Sequence, residues 1–152
     1  MASSNILIVE SINDKFFIEN ITNYLNDIDL EVDEPVCSID DYECLDGLSQ
    51  KKLENKLHEL IINIEKNGIE KVGILLDADE SGLASKIDII DKALKKVGSK
   101  INISETNTWY TCNDLNIEIS CHILNIDGKG ELETVLKTVK RESSIYADCL
   151  ES

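Results

Sequence analysis

Carboxylates occupy the positions of this chain where chemistry could be done. Glu10 follows the apolar run Ile6–Val9, with Asp14 one helical turn further on. Asp77-Ala78-Asp79-Glu80 follows a second apolar run, Val72–Leu76. A third run, Ile123–Ile126, ends in Asp127, with Glu131 and Glu133 just beyond. Acids crowded at one place repel one another and stay partly protonated unless a cation neutralises them. Their oxygens are hard donors, which suit Mg²⁺ or the similar Mn²⁺. In an extended segment residues two apart point the same way, so Asp77 and Asp79 can face one ion. Taken alone, D-x-D reads as a helix cap. Joined to Glu10 and Asp14, each at the end of an apolar run, it points to a cation site.

The elements around these acids must bring them together. Ile6–Val9 and Val72–Leu76 have the unbroken apolar character of strands buried on both faces of a parallel sheet. After the first comes a helix with Phe17, Ile21, Tyr24 or Leu25, and Ile28 on one side, and with capping residues Ser11, Asn13 and Asp14 at its start. Residues 29–49 are acidic, hold the only proline, Pro35, and predict a short strand and a loop. Leu53, Leu57, Leu60, Ile61 and Ile64 predict a second helix, stopped by Asn67-Gly68. Leu83, Ile87, Ile90, Leu94 and Val97 predict a third, closed by Gly98. Ile101–Ile103 reads as a short strand, 104–116 as an insertion or edge hairpin, and Ile117–Ile126 as a longer strand. Asp127-Gly128-Lys129-Gly130 turns into a last helix through Leu132, Val135, Leu136 and Val139. This alternation predicts one α/β domain over residues 1–152, a three-layer sandwich around a mainly parallel sheet. Ligands of such sheets sit at the carboxyl ends of the strands, where the acids are. The chain stops at Cys149-Leu150-Glu151-Ser152 on a fresh apolar pattern, which suggests a C-terminal truncation.

Composition narrows the function classes. Hydrophobic residues make up 42% and aromatic ones 5%, so the core must be aliphatic. No apolar run is long enough to span a membrane, and MASSNILIVE lacks the pattern of a secretory signal, so a cytoplasmic location is expected. Five cysteines without C-x-x-C spacing suggest reduced thiols, not a disulfide framework or a zinc site. Thirty acids against fifteen bases give a formal charge of −15, and Arg141 is the only arginine. Such a surface disfavours a nucleic-acid partner. A protein partner or a second copy of the chain is compatible with it.

The segments "NILIVESINDKFFIENI" and "KVGILLDADESG" resemble the Toprim pattern, an acid after the first strand and D-x-D after a later one. The chain is similar to small Toprim-like prokaryotic proteins related to the overcoming-lysogeny-defect nucleases. Their "VEG-x-x-D", "DAD" and "G-x-L-E" stand here as Val9–Asp14, Asp77-Ala78-Asp79 and Gly130-Glu131-Leu132-Glu133. The resemblance implies a Toprim fold and Mg²⁺- or Mn²⁺-dependent phosphoryl transfer, chiefly phosphodiester hydrolysis in nucleic acid. It makes Glu10, Asp77 and Asp79 the metal cluster and gives Glu10 the further role of general base. Asp14 would support the first ion and Glu133 a second. Lys15 and Lys129 would hold the attacked phosphate. Ser11 stands where the pattern has glycine, a substitution that would hinder close backbone approach to a ligand.

Two other readings use the same residues. A Toprim-like shell could bind metal or a protein partner without turnover. The runs "ILIVE" and "ILLDADESG" also resemble a receiver domain, in which Asp77 would accept a phosphoryl group with Lys129 as partner. His58 reads as exposed on a helix and His122 as a sheet-face residue. No G-x-x-x-x-G-K-[ST] loop or G-x-S-x-G elbow is present.

Overall fold

The structure, a computed structural model, describes residues 4–25, 27–37, 49–78 and 82–125. In chain order these form β1 (Asn5–Val9), α1 (Ile12–Leu25), β2 (Glu31–Val32), α2 (Gln50–Ile62), α3 (Ile64–Asn67), β3 (Lys71–Asp77), α4 (Leu83–Lys96), β4 (Tyr110–Cys112) and β5 (Ile117–Leu124). The sheet order is β2-β1-β3-β5-β4. The first four strands of that order are parallel, and β4 runs antiparallel to β5 as an edge hairpin. The predicted α/β architecture with a mostly parallel sheet is therefore present.

Strand alternation divides the core in two. One face carries Ile6, Ile8, Val72, Ile74, Leu76, Ile119, Cys121 and Ile123. Onto it α2 sets Leu53, Leu57 and Leu60, and α4 sets Ile90, Ala93 and Leu94. The other face is thin: Val9, Val32 and Leu75 are buried there, with Leu7, Ile18 and Leu124 partly so. Among the described helices α1 supplies Ile18 to that second face. Among the described residues most of the buried apolar side chains thus lie on the α2/α4 side.

Local chemistry sets the helix ends. Ser49 caps α2, its Oγ accepting from the Lys52 amide at 3.2 Å. Gly68 takes the left-handed conformation, φ 65°, that ends α3 and lets the chain enter β3. Ser11 and Asp14 close a reciprocal cap on α1: Ser11 donates to Asp14 Oδ2 from its amide at 3.1 Å and its hydroxyl at 2.8 Å, and the Asp14 amide reaches back to Ser11 Oγ at 3.4 Å.

Four expectations are corrected. The helix predicted to run unbroken to Asn67 is interrupted at Asn63, whose side chain donates to the Glu59 carbonyl at 2.9 Å. Ile101–Ile103 is not a strand, because its amides are taken by side chains: Ile101 by Ser99 Oγ at 3.2 Å and Ile103 by Asp91 Oδ1 at 2.8 Å. The helix predicted to include Ile28 spans only Ile12–Leu25, and Ile21, Tyr24 and Leu25 on it are exposed. Cys37 is disulfide-bonded, whereas Cys112 and Cys121 are free and buried. The reading of five reduced thiols fails there. Burial raises the Cys121 thiol to about 11, which keeps it protonated and inert. Among the described residues no helix is long and apolar enough to cross a membrane.

Candidate functional site

The carboxyl end of β1 meets that of β3. The ladder between them ends at the pair Val9–Leu75. Beyond it the next β3 donor, the Asp77 amide, finds Glu10 Oε2 at 3.1 Å. The carboxylate stands in for the backbone acceptor that the ladder no longer provides. Glu10 is only 8% exposed, and its own carbonyl accepts from the Cys37 amide at 2.9 Å. The segment after β2 thus extends the pairing of β1, with the Asp33 and Val36 amides bonding the carbonyls of Leu7 and Val9. Glu10 is therefore fixed from two sides, by side chain and by backbone.

Asp77 is the last residue of β3 and half-buried. By alternation it shares a sheet face with Gly73 and Leu75. Asp14 is 3% exposed and lies in the first turn of α1, so the turn that follows β1 delivers both Glu10 and Asp14. Ser11 lies between them without strain, since its φ is outside the left-handed region. The serine that departs from the glycine pattern serves as half of the helix cap.

The structure brings Glu10 and Asp77 together from 67 positions apart. Among the described residues no group of three or more His, Cys, Asp or Glu side chains is assembled that could hold a metal. Asp79 and Glu133, which would extend the set, lie outside the described residues, as do Asp127, Lys129 and Glu131. Two carboxylates fit the donor chemistry of Mg²⁺, which usually takes one or two protein carboxylates and completes its shell with water or phosphate. Lys15 is turned to a different partner: its ammonium meets Glu34 Oε1 at 2.7 Å. That hydrogen bond raises the Lys15 pKa and lowers that of Glu34. Lys56 likewise pairs with Asp33 at 3.2 Å. Part of the acidic stretch after α1 is thus neutralised by lysines.

Lys86 is a buried charge that sequence reasoning missed. It is 1% exposed, although its helix carries five other charged side chains, Asp88, Asp91, Lys92, Lys95 and Lys96. The β3–α4 connection places the first turns of α4 beside the carboxyl end of β3, and Lys86 lies one turn closer to that end than the core residue Ile90. An ammonium can be buried only among acceptors that balance it. The signal was its spacing, four before Ile90, on the helix face that packs inward. His122, read as a sheet-face residue, is exposed on the sheet with Nδ1 2.7 Å from Asn107 Oδ1. His58 is exposed on α2.

Residues 4–151 match a family described as "protein of unknown function (DUF3226)". No curated protein and no solved structure matches the chain.

Proposed function

Because the chain belongs to the DUF3226 family, whose function is unknown, we propose from its own residues that the strand-end carboxylates form a Toprim-type site for phosphodiester hydrolysis. The supporting observation is the Glu10–Asp77 contact, which joins two separate strand ends at one buried carboxylate. Glu10, Asp77 and Asp79 would hold Mg²⁺ or Mn²⁺, with Asp14 behind Glu10 and Glu133 available to a second ion. A divalent ion there supplies an acidified water and offsets charge on the attacked phosphate. Glu10, anchored through Oε2, accepts a proton from the attacking water through its carboxylate. Lys86, buried in the first turns of α4, would supply positive charge to offset repulsion among these carboxylates.

A second reading, a metal-binding or partner-binding module without turnover, is favoured by one observation. Lys15, the cation nearest Glu10 in sequence, is engaged with Glu34. Calorimetric titration with Mg²⁺ and with Mn²⁺, on the wild type and on Asp77→Asn/Asp79→Asn, tests the site. Saturable binding lost in the double variant is expected. Equal affinity in both proteins refutes the assignment. Metal binding without cleavage of single-stranded or duplex DNA or RNA selects the second reading.

A further inference from the structure

The thin face of the sheet carries a groove of about 460 Å³ that no role has yet absorbed. Its floor is β1, β3 and β5, where Gly73 and Ser120 are directly paired across the ladder and the Leu7 side chain leans over the glycine, its Cδ1 3.0 Å from where a Cβ would stand. Ile18, Ile28 and Leu30 line one flank and Trp109 the other. The volume and the mostly apolar lining with a few polar groups are those of a small-molecule pocket.

Trp109 is the feature that calls for a ligand. It is 53% exposed and is the only tryptophan in a chain with few aromatics. The segment that carries it is tied down at several points. The Asn107 amide donates to the Cys121 carbonyl at 2.8 Å, and Asn107 Oδ1 meets His122 Nδ1 at 2.7 Å. The Ser104 and Glu105 amides both donate to the Tyr110 hydroxyl, at 3.3 and 3.1 Å. Asn107 takes a left-handed φ of 59°, which Asn tolerates better than most residues. The Lys71 ammonium lies 5.3 Å from the centre of the indole ring. An indole held this firmly, open to solvent and beside a cation, is a stacking platform.

The platform is aligned with the carboxylate rim. Tyr110 pairs with Ile119, so Trp109 sits beside Ser120, which is level with Gly73. From Gly73 to Asp77 is four strand residues, roughly 13 Å at about 3.3 Å each. The two residues share a sheet face, with Leu75 between them.

We propose that this groove takes a nucleobase, stacked on Trp109, of a substrate whose phosphodiester reaches the rim. The choice of a nucleobase over another flat ring rests on the phosphodiester reading given above. Charge then narrows the class further. A duplex hides its bases and must be held through its phosphates, for which a chain of formal charge −15 with one arginine is poorly equipped. A single strand or a small nucleotide offers its bases to an aromatic platform, and stacking does not need a basic surface. The substrate class is therefore nucleic acid with unpaired bases.

The lone tryptophan reports directly on the proposal. Its fluorescence is titrated in EDTA with an oligoadenylate hexamer, and separately with a blunt duplex whose strands are of equal length. Saturable quenching by the hexamer and none by the duplex is expected. Ser120→Leu, which fills the hollow, should weaken hexamer binding about tenfold or more. Absence of quenching by the hexamer, or equal quenching by the duplex, overturns the proposal. So does a folded Ser120→Leu protein that binds like the wild type. The wild-type contrast decides the matter even if that variant does not fold. Because EDTA removes metal, failure of the rim reading appears separately, as quenching without Mg²⁺-dependent cleavage.

Discussion

Replacing Glu10 by alanine and by glutamine separates its two roles. In Glu10→Ala the Asp77 amide loses its acceptor in a half-buried setting. An unsatisfied donor of this kind costs about 1–3 kcal/mol. For a chain of this size each kcal/mol moves Tm by roughly 2–4 °C, so a fall of roughly 2–12 °C is expected in EDTA. Glu10→Gln keeps an oxygen for the amide and loses only the charge. The weaker hydrogen bond costs about 1 kcal/mol, and relief of repulsion toward neighbouring carboxylates opposes that loss. Its Tm should stay within a few degrees of the wild type, at roughly 2–4 °C per kcal/mol. Added Mg²⁺ at a hundredfold excess over its Kd would stabilise the wild type by about 2.7 kcal/mol, and neither variant should gain that amount. The assay is thermal unfolding followed by circular dichroism, with and without Mg²⁺. If the glutamine variant falls as far as the alanine variant in EDTA, the Asp77 amide is not what Glu10 holds. If it gains as much from Mg²⁺ as the wild type, Glu10 is not a ligand.

Lys86→Met should lower stability by about 3–5 kcal/mol in EDTA, the cost of removing one member of a buried charge assembly. Mg²⁺ should then restore more stability to this variant than to the wild type, as read from urea midpoints; an equal Mg²⁺ effect would separate Lys86 from the rim. Asp91 gives a pH test. Desolvation pushes its pKa up, but the Lys95 hydrogen bond, the Ile103 amide and the Lys95 and Lys92 charges outweigh it, so the folded value lies below the ordinary 3.8. The stability it contributes is complete above 3.8 and is lost as pH falls through the lower folded value. The stability difference between wild type and Asp91→Asn, whose side chain can still accept from Ile103, should be level above about pH 5 and shrink below about pH 4. A difference that stays constant down to acid unfolding would contradict this.

The parts of the fold visible in the sequence are those set by local pattern. Val72–Leu76 and Ile6–Val9 are apolar at every position because each belongs to an interior strand of the parallel sheet, paired with a strand on either side, and continuous runs of that kind have few other uses. The carboxylates that follow them were visible for the same reason, since the end of a strand is where a parallel sheet exposes its ligand edge. Periodicity was less informative for α1. It reports that Ile21, Leu25 and Ile28 share a side, but not whether anything lies against that side. Lys86 failed in the opposite direction. Its charge suggests solvent, and only its spacing four before Ile90 marks it as lying on the inward helix face. The break at Asn63 and the loss of the Ile101–Ile103 strand both come from side chains competing for backbone groups, a choice that hydrophobic pattern does not encode.

The groove shows why a further part was illegible. Gly73 and Ser120 are unremarkable in their own strands, and neither position carries a motif. They come together on the floor of the groove only because the β3–β5 register sets them opposite one another, and that register follows from matching the apolar faces of two strands far apart in sequence. A one-residue slip would oppose Gly73 to Glu118's neighbour or to Cys121 and fill the space. The same register carries β3 forward to Asp77, so the hollow and the carboxylate cannot be positioned independently. Any ligand that lies in the groove along the strands is directed toward the rim by the geometry of the two strands that build both. A substitution that shifts the register should therefore impair stacking on Trp109 and metal binding at Asp77 together, whereas Ser120→Leu should affect the first and spare the second.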